Sequence, residues 1–202
     1  MDAVSFFLLG HGRVHSADVA GGTPYADRVF AGLSDDQMRA RPNENLNPLV
    51  WLLWHMARTE DVAVNLVVAG RSQVLDDDWI DRLNVRWRTI GTGMSDDQVA
   101  ELAERADVAA VRAYRSAVGR RTREVVTALQ AEAWDEMLGM PDTARAHAEG
   151  AFARGWVNGS GYPAWQGHPR AAQLQSSAIT HNAIHLGEAI TVRSQAGFPL
   201  GI

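Results

Sequence analysis

Three histidines and one glutamate carry the chemistry that can be read from this sequence. The stretch "THNAIHLGEAITVR" (180–193) holds His181, His185 and Glu188. On a helix turning about 100° per residue, His185 lies about 40° from His181, and Glu188 lies about 20° to the other side. Leu174 and Val192 fall about 20° from His181 on the same wheel. The stripe is apolar at both ends and polar in its middle. An unpartnered buried polar group costs about 1–3 kcal/mol, so three together need a shared reason.

The third histidine stands in "NPLVWLLWHMARTEDVAVNLVVAG" (47–70). Trp51, Leu52, Thr59, Val62 and Leu66 lie within about 60° of His55, so one imidazole again interrupts an apolar face. If the two helices pack side by side, the three imidazoles converge. Imidazoles at i and i+4 can share one metal ion. Three neutral imidazoles leave the ion its full charge and keep positions open for water, as in a catalytic site. Such an ion lowers the pKa of a bound water or thiol. Nitrogen ligands suit zinc, nickel, iron or copper without choosing among them. Glu188 could orient an imidazole, accept a proton as the catalytic group, or bind the ion. Trp51 and Thr59, one turn to either side of His55, are expected to line the pocket. A lone pair of histidines four apart is a weak signal, and hydrogen-bonded core histidines are the plainer reading of it. His55 in its matching context strengthens the metal reading.

The elements that must position these groups are helical. A first region runs from Val4 to Leu33, broken at "GGTP" (21–24). Asn47 is expected to cap a helix that opens at Pro48 and stops at Gly70. "DDDWIDRLN" reads as a short helix, and Ser95 as the cap of a long helix to about Ala131. Residues 132–168 read as irregular, with a helical piece near Thr143 to Arg154. The last helix starts after Pro169 and ends near Gly197. No period-2 strands appear. One all-α domain over residues 1–202 is expected, a four-helix bundle with short extra helices in its connections.

Composition narrows the function classes. The chain has 202 residues and a formal net charge of −5, which argues against a nucleic-acid binder. All 19 basic residues are arginine, a bias typical of high-GC coding. There is no cysteine, so any metal site must use His, Asp, Glu and water. No run approaches about 20 apolar residues and no basic segment precedes the apolar N-terminus, so a cytoplasmic protein with no membrane partner is expected.

Other features carry less. "HGRVH" holds His11 and His15, but Gly10 and Gly12 weaken a helix there, and a surface or pocket-rim place is expected. The glycine-rich, aromatic segment Ala153 to Pro169 reads as a packed connection, or else as a lid. Trp79, Trp87 and Trp134 read as packing residues. Arg58 and Arg86 could meet an anionic substrate. Ile179, Ala183, Leu186 and Ile190 form a second apolar stripe on the last helix, which suggests a partner subunit in a homodimer or cover by connecting segments.

The two quoted stretches together resemble the DinB-like superfamily of bacterial four-helix-bundle metalloproteins. Its pattern is a histidine after tryptophan and aliphatics in the second helix and an H-x-x-x-H pair in the last. Here those positions are His55, His181 and His185, and the pair "HGRVH" is outside the pattern. The resemblance implies a three-histidine site for a divalent metal such as zinc, nickel or iron, and often a homodimer. Some relatives transfer low-molecular-weight thiols, including mycothiol and bacillithiol, or isomerise maleylpyruvate. The expected function is therefore metal-dependent transfer of a thiol, with mycothiol as co-substrate, to a small electrophile, or metal-assisted hydrolysis or isomerisation. The alternative is a non-catalytic metal- or small-ligand-binding protein of a stress response.

Overall fold

The computed structural model describes residues 1–153 and 165–202. Their regular structure is helical apart from an isolated bridge between Met137 and Pro169. Four helices build the bundle: α1 (Ala3–Val14), α2 (Leu49–Asp61), α3 (Val108–Ala128) and α4 (His181–Gln195).

The Asp2 carboxylate caps α1 by accepting the Ser5 N–H at 2.7 Å. The chain turns at Gly21 and Gly22, whose φ values of 73° and 72° only glycine adopts readily. Pro48 stands at the cap position of α2 itself, one residue later than the sequence suggests. Asn47 caps nothing; its side chain reaches Glu188 instead. Beyond Asp61 the helix widens into a π-helical turn, Val62–Val68, and Gly70 ends it. A second π-helical turn, Gln175–Thr180, leads directly into α4.

The single helix expected from Ser95 to Ala131 is two helices, Asp96–Arg105 and α3. Asp107 makes the break. Its carboxylate accepts the Ala110 N–H at 2.8 Å and starts a new helix in a new direction. In the following connection, Pro141 and Asp142 open a helix at Met140–Ala148, earlier than expected.

Every residue of α2 is buried, so this helix is the axis of the fold. Its apolar residues join Tyr114 and Val118 of α3 and Leu186, Ala189 and Val192 of α4 in the main core. A second cluster joins Phe7, Val64, Val125, Trp134 and Leu174. Leu174 thus lies in the neighbouring cluster, because the π-helical turn shifts its register relative to His181.

The polar residues of α2 are paired. Asp61 accepts from Arg58 (3.2 Å), Tyr114 (2.5 Å), Asn65 (2.7 Å) and the backbone N–H of Val74 (2.8 Å) and Leu75 (3.0 Å). Arg58 also donates to the Arg88 carbonyl at 2.6 Å. It is fully buried, so the expectation that it meets substrate is corrected: it straps the 71–75 and 85–91 segments to α2. Arg86 is exposed and pairs with Glu101 at 2.6 Å. The second stripe of α4 is largely covered by the chain itself. Leu186 is buried, Ile179 and Ile190 pack on the main core, and only Ala183 is exposed. Among the described residues no helix is long and apolar enough to cross a membrane.

Candidate metal centre

His55 comes from the middle of α2, His181 and His185 from the first two turns of α4. Their Nε2 atoms face one another. His181 Nε2 lies 3.1 Å from His55 Nε2 and 3.1 Å from His185 Nε2. Ligands at about 2.0–2.1 Å around a tetrahedral ion stand roughly 3.3 Å apart, so this spacing matches a shared ion.

The outer hydrogen bonds fix which nitrogens are bare. His55 Nδ1 donates to the Ile90 carbonyl, an acceptor only, so its Nε2 carries a lone pair. His185 Nδ1 donates to the Glu188 carboxylate at 2.8 Å, so in the neutral ring that a metal would bind its Nε2 is the bare nitrogen. Both lone pairs point at His181 Nε2, which can donate at most one proton. A cation resolves the conflict, and acceptors behind ligating imidazoles are the usual support of such a site. His181 Nδ1 is buried without a protein partner.

Electrostatics favours the neutral form a metal needs. Burial, with His185 beside it, pushes His55 down to about 4. Burial, with His55 and His185 beside it, pushes His181 down to about 2. Burial works to raise Glu188, but its bonds to His185 and Asn47 outweigh that and hold it below its ordinary value. Glu188 therefore stays a carboxylate, steered by Asn47 Nδ2 at 3.2 Å.

Trp51 stacks on His55 with centroids 4.6 Å apart, and its Nε1–H donates to Met94 Sδ at 3.3 Å. Thr59 is buried one turn beyond His55, its hydroxyl unpartnered. Gly91 packs beside Trp51, Trp54 and His55 at φ 94°. A Cβ there would stand 2.6 Å from the Trp54 ring and 3.4 Å from His55 Nδ1. Sequence reasoning missed Asn47, Ile90, Gly91 and Met94. Asn47 was visible only as a cap, and no pattern reveals a backbone carbonyl aimed at an imidazole across 35 residues.

His11 and His15 are not on the surface: both are fully buried at the centre of the bundle. Gly119 of α3 makes the room, since a Cβ there would stand 2.4 Å from the His15 ring. His11 Nε2 donates to Glu60 Oε1 at 2.9 Å, and His15 Nε2 stands 3.8 Å from Glu60 Oε2. His15 Nδ1 accepts the Ser16 N–H at 3.0 Å, so its proton sits on Nε2 and faces the carboxylate. Burial, with Arg115 and His11 nearby, keeps His15 well below its ordinary pKa. Near Glu188 bare nitrogens converge; around Glu60 the N–H groups do. His168 pairs with Gln173 at 2.8 Å. The segment Ala153–Pro169, read as a packed connection or else as a lid, falls mostly on residues 154–164, outside the described residues.

Comparison with known proteins covers most of the chain. The model of the DinB superfamily matches residues 24–189, a span that holds His55, His181, His185 and Glu188 and leaves out His11 and His15. The crystal structure of a conserved protein from Enterococcus faecalis has the same fold, with a TM-score of 0.64 and 16% identity over 96% of this chain and 97% of that one. Among curated proteins no sequence match is found.

Proposed function

Because the chain belongs to the DinB superfamily and brings three imidazole nitrogens together at one point, we propose that it is a metal-dependent enzyme acting on small molecules. His55, His181 and His185 would hold one divalent ion, zinc, nickel or iron. Bound there, the ion would acidify a thiol or water for attack on a small electrophile. The observation that carries the reading is the pair of outer acceptors, the Ile90 carbonyl and the Glu188 carboxylate, which leave His55 and His185 with bare Nε2 atoms.

The chain's own groups have separable tasks. Glu188 holds the His185 ring and, as a carboxylate at the half-buried edge of the site, can take up the proton released by the incoming nucleophile. Trp51 and Met94 wall off one side of His55, and the buried Thr59 hydroxyl lies unpartnered one turn beyond it. Mycothiol is the first co-substrate to try, on the strength of the superfamily's thiol transferases. A homodimer belongs to the same proposal. Phe6, Leu9 and Ile184 remain exposed for it, and light scattering at micromolar concentration tests it.

Elemental analysis of untagged protein beside His181→Ala/His185→Ala is the test. About one metal per chain, absent from the variant, supports the site and licenses a thiol-transfer screen with that metal. No metal after reconstitution with zinc, nickel, iron and manganese sinks the reading.

A further inference from the structure

Glu60 lies on α2 five residues after His55, and Asn182 follows His181 on α4. The two helices that carry the imidazoles therefore also carry this second polar pair. Asn182 Nδ2 donates to Glu60 Oε2 at 3.2 Å, and both residues are fully buried. The same amide reaches the carbonyls of Ala178 at 3.1 Å and Ser177 at 3.5 Å. Those carbonyls belong to the π-helical turn before His181, where the change from i+5 to i+4 bonding disturbs the regular pairing of backbone groups. Asn182 Oδ1 accepts from Arg115 Nη2 of α3 at 2.8 Å. Glu60 Oε1 accepts from Thr122 of α3 at 2.7 Å and from His11 of α1 at 2.9 Å. One carboxylate on α2 is thus bonded to each of the other three helices.

We propose that Glu60 and Asn182 are positioning residues of the candidate metal centre, and that their hydrogen bond sets the rotation and axial register of α4 against α2. A slip of one residue along a helix moves a side chain about 1.5 Å and turns it about 100°, while a metal site tolerates errors of only about 0.5 Å. Two imidazoles on α4 meet one on α2 only if that register holds. The π-helical turn just before His181 makes the register a choice, and Asn182 bonds to both the turn and α2. The consequence for metal affinity rests on the metal reading; the positioning itself can be measured without metal.

Exchange of the two functional groups tests this. In Glu60→Gln the new NH₂ must face Asn182 or the Thr122 and His11 donors, a donor–donor conflict either way. In Asn182→Asp two carboxylates meet. In the double variant Glu60→Gln/Asn182→Asp, the amide introduced at position 60 donates to the carboxylate introduced at position 182. That carboxylate also accepts from Arg115, and the bond to α2 returns with its direction reversed, while the bonds of position 182 to the Ala178 and Ser177 carbonyls stay lost. Samples shown to be folded by circular dichroism are titrated with Co(II). The imidazole ¹⁵N shifts of His55, His181 and His185 are recorded without metal. We expect each single variant to bind Co(II) about 10–100-fold more weakly, with displaced imidazole shifts, and the exchange to recover part of both relative to Asn182→Asp, which lacks the same bonds to the turn. Single variants that lower only the melting temperature, leaving affinity and shifts at wild-type values, overturn the inference. So does an exchange no better than Asn182→Asp alone. Wild-type protein that binds no metal, while its imidazole shifts respond to Glu60→Gln and recover in the exchange, would retain the positioning role and remove the proposed function.

Discussion

The two histidine clusters of this bundle use nearly the same residue types with opposite polarity. At the edge of α2 and α4, Glu188 and the Ile90 carbonyl stand behind the rings and draw the protons outward, so bare nitrogens meet. At the bundle centre Glu60 stands at the Nε2 edges of the two adjacent rings, 2.9 Å from His11 and 3.8 Å from His15, so N–H groups face a carboxylate. Arg115, Arg123 and Arg120 around His15 add positive charge that would oppose a metal ion there. His/Glu content alone does not make a metal site. On the proposed reading, the position of the carboxylate, behind the imidazoles or beside their Nε2 atoms, sets whether a cluster would receive a cation or donate hydrogen bonds.

The strongest attempt to break this contrast is a metal count. His55→Ala should lose the ion altogether, while His11→Ala should keep it and lose stability instead. A second equivalent of metal in wild-type protein, removed by His11→Ala, would show that the inner cluster also takes a cation. The next effect amounts to several kcal/mol and concerns both clusters. His15, His55 and His181 are held neutral in the fold, their pKa values depressed below 6.5, to about 4 for His55. Below 6.5 the unfolded chain takes up protons that the fold refuses. Their contribution to stability is therefore present above pH 6.5 and lost as pH falls toward 4, by up to about 1.4 kcal/mol per unit for each group. Denaturant melts of metal-free protein at pH 7, 6 and 5 should show this slope, reduced in His55→Gln. A flat profile would mean that the rings protonate within the fold.

How much of this was legible in the sequence follows from the range of the interactions. His55, His181, His185 and Glu188 show themselves because each interrupts a periodic apolar stripe on a single helix. The helical class and the breaks at Gly21, Gly70 and Gly197 follow from local turn chemistry. The split at Asp107 was hidden because an aspartate inside a helical pattern looks like a surface residue until its carboxylate is seen to cap. His11 and His15 were misread because glycines at 10 and 12 argue against a helix, yet tertiary packing overrides that weak preference. The small surface at Gly119 that admits His15 lies 104 residues away in sequence, beyond any local pattern.

A smaller effect separates the outer support from the ligands themselves. Glu188→Gln keeps the size of the side chain but weakens the acceptor behind His185, and Co(II) affinity should fall about 10–100-fold with little change in melting temperature. Unchanged affinity would place Glu188 outside the metal's support and leave it only the proton-accepting role.

The smallest expected effect on the metal is the most telling about the core. Thr122→Val replaces a hydroxyl that donates to Glu60 Oε1 with a methyl of similar shape. One hydrogen bond to a buried carboxylate is lost, worth about 1.5–3 kcal/mol. The His11 bond to the same oxygen remains, as does the Asn182 bond to the other. Thr122 sits on α3, which carries no metal ligand, so the register of α4 on α2 is untouched and Co(II) affinity should stay within about threefold of wild type. Set beside Glu60→Gln at matched loss of stability, this variant separates a core that only stabilises from one that aligns. Equal losses of affinity in the two would show that general loosening of the bundle, not the Glu60–Asn182 cross-link, governs how the three imidazoles meet.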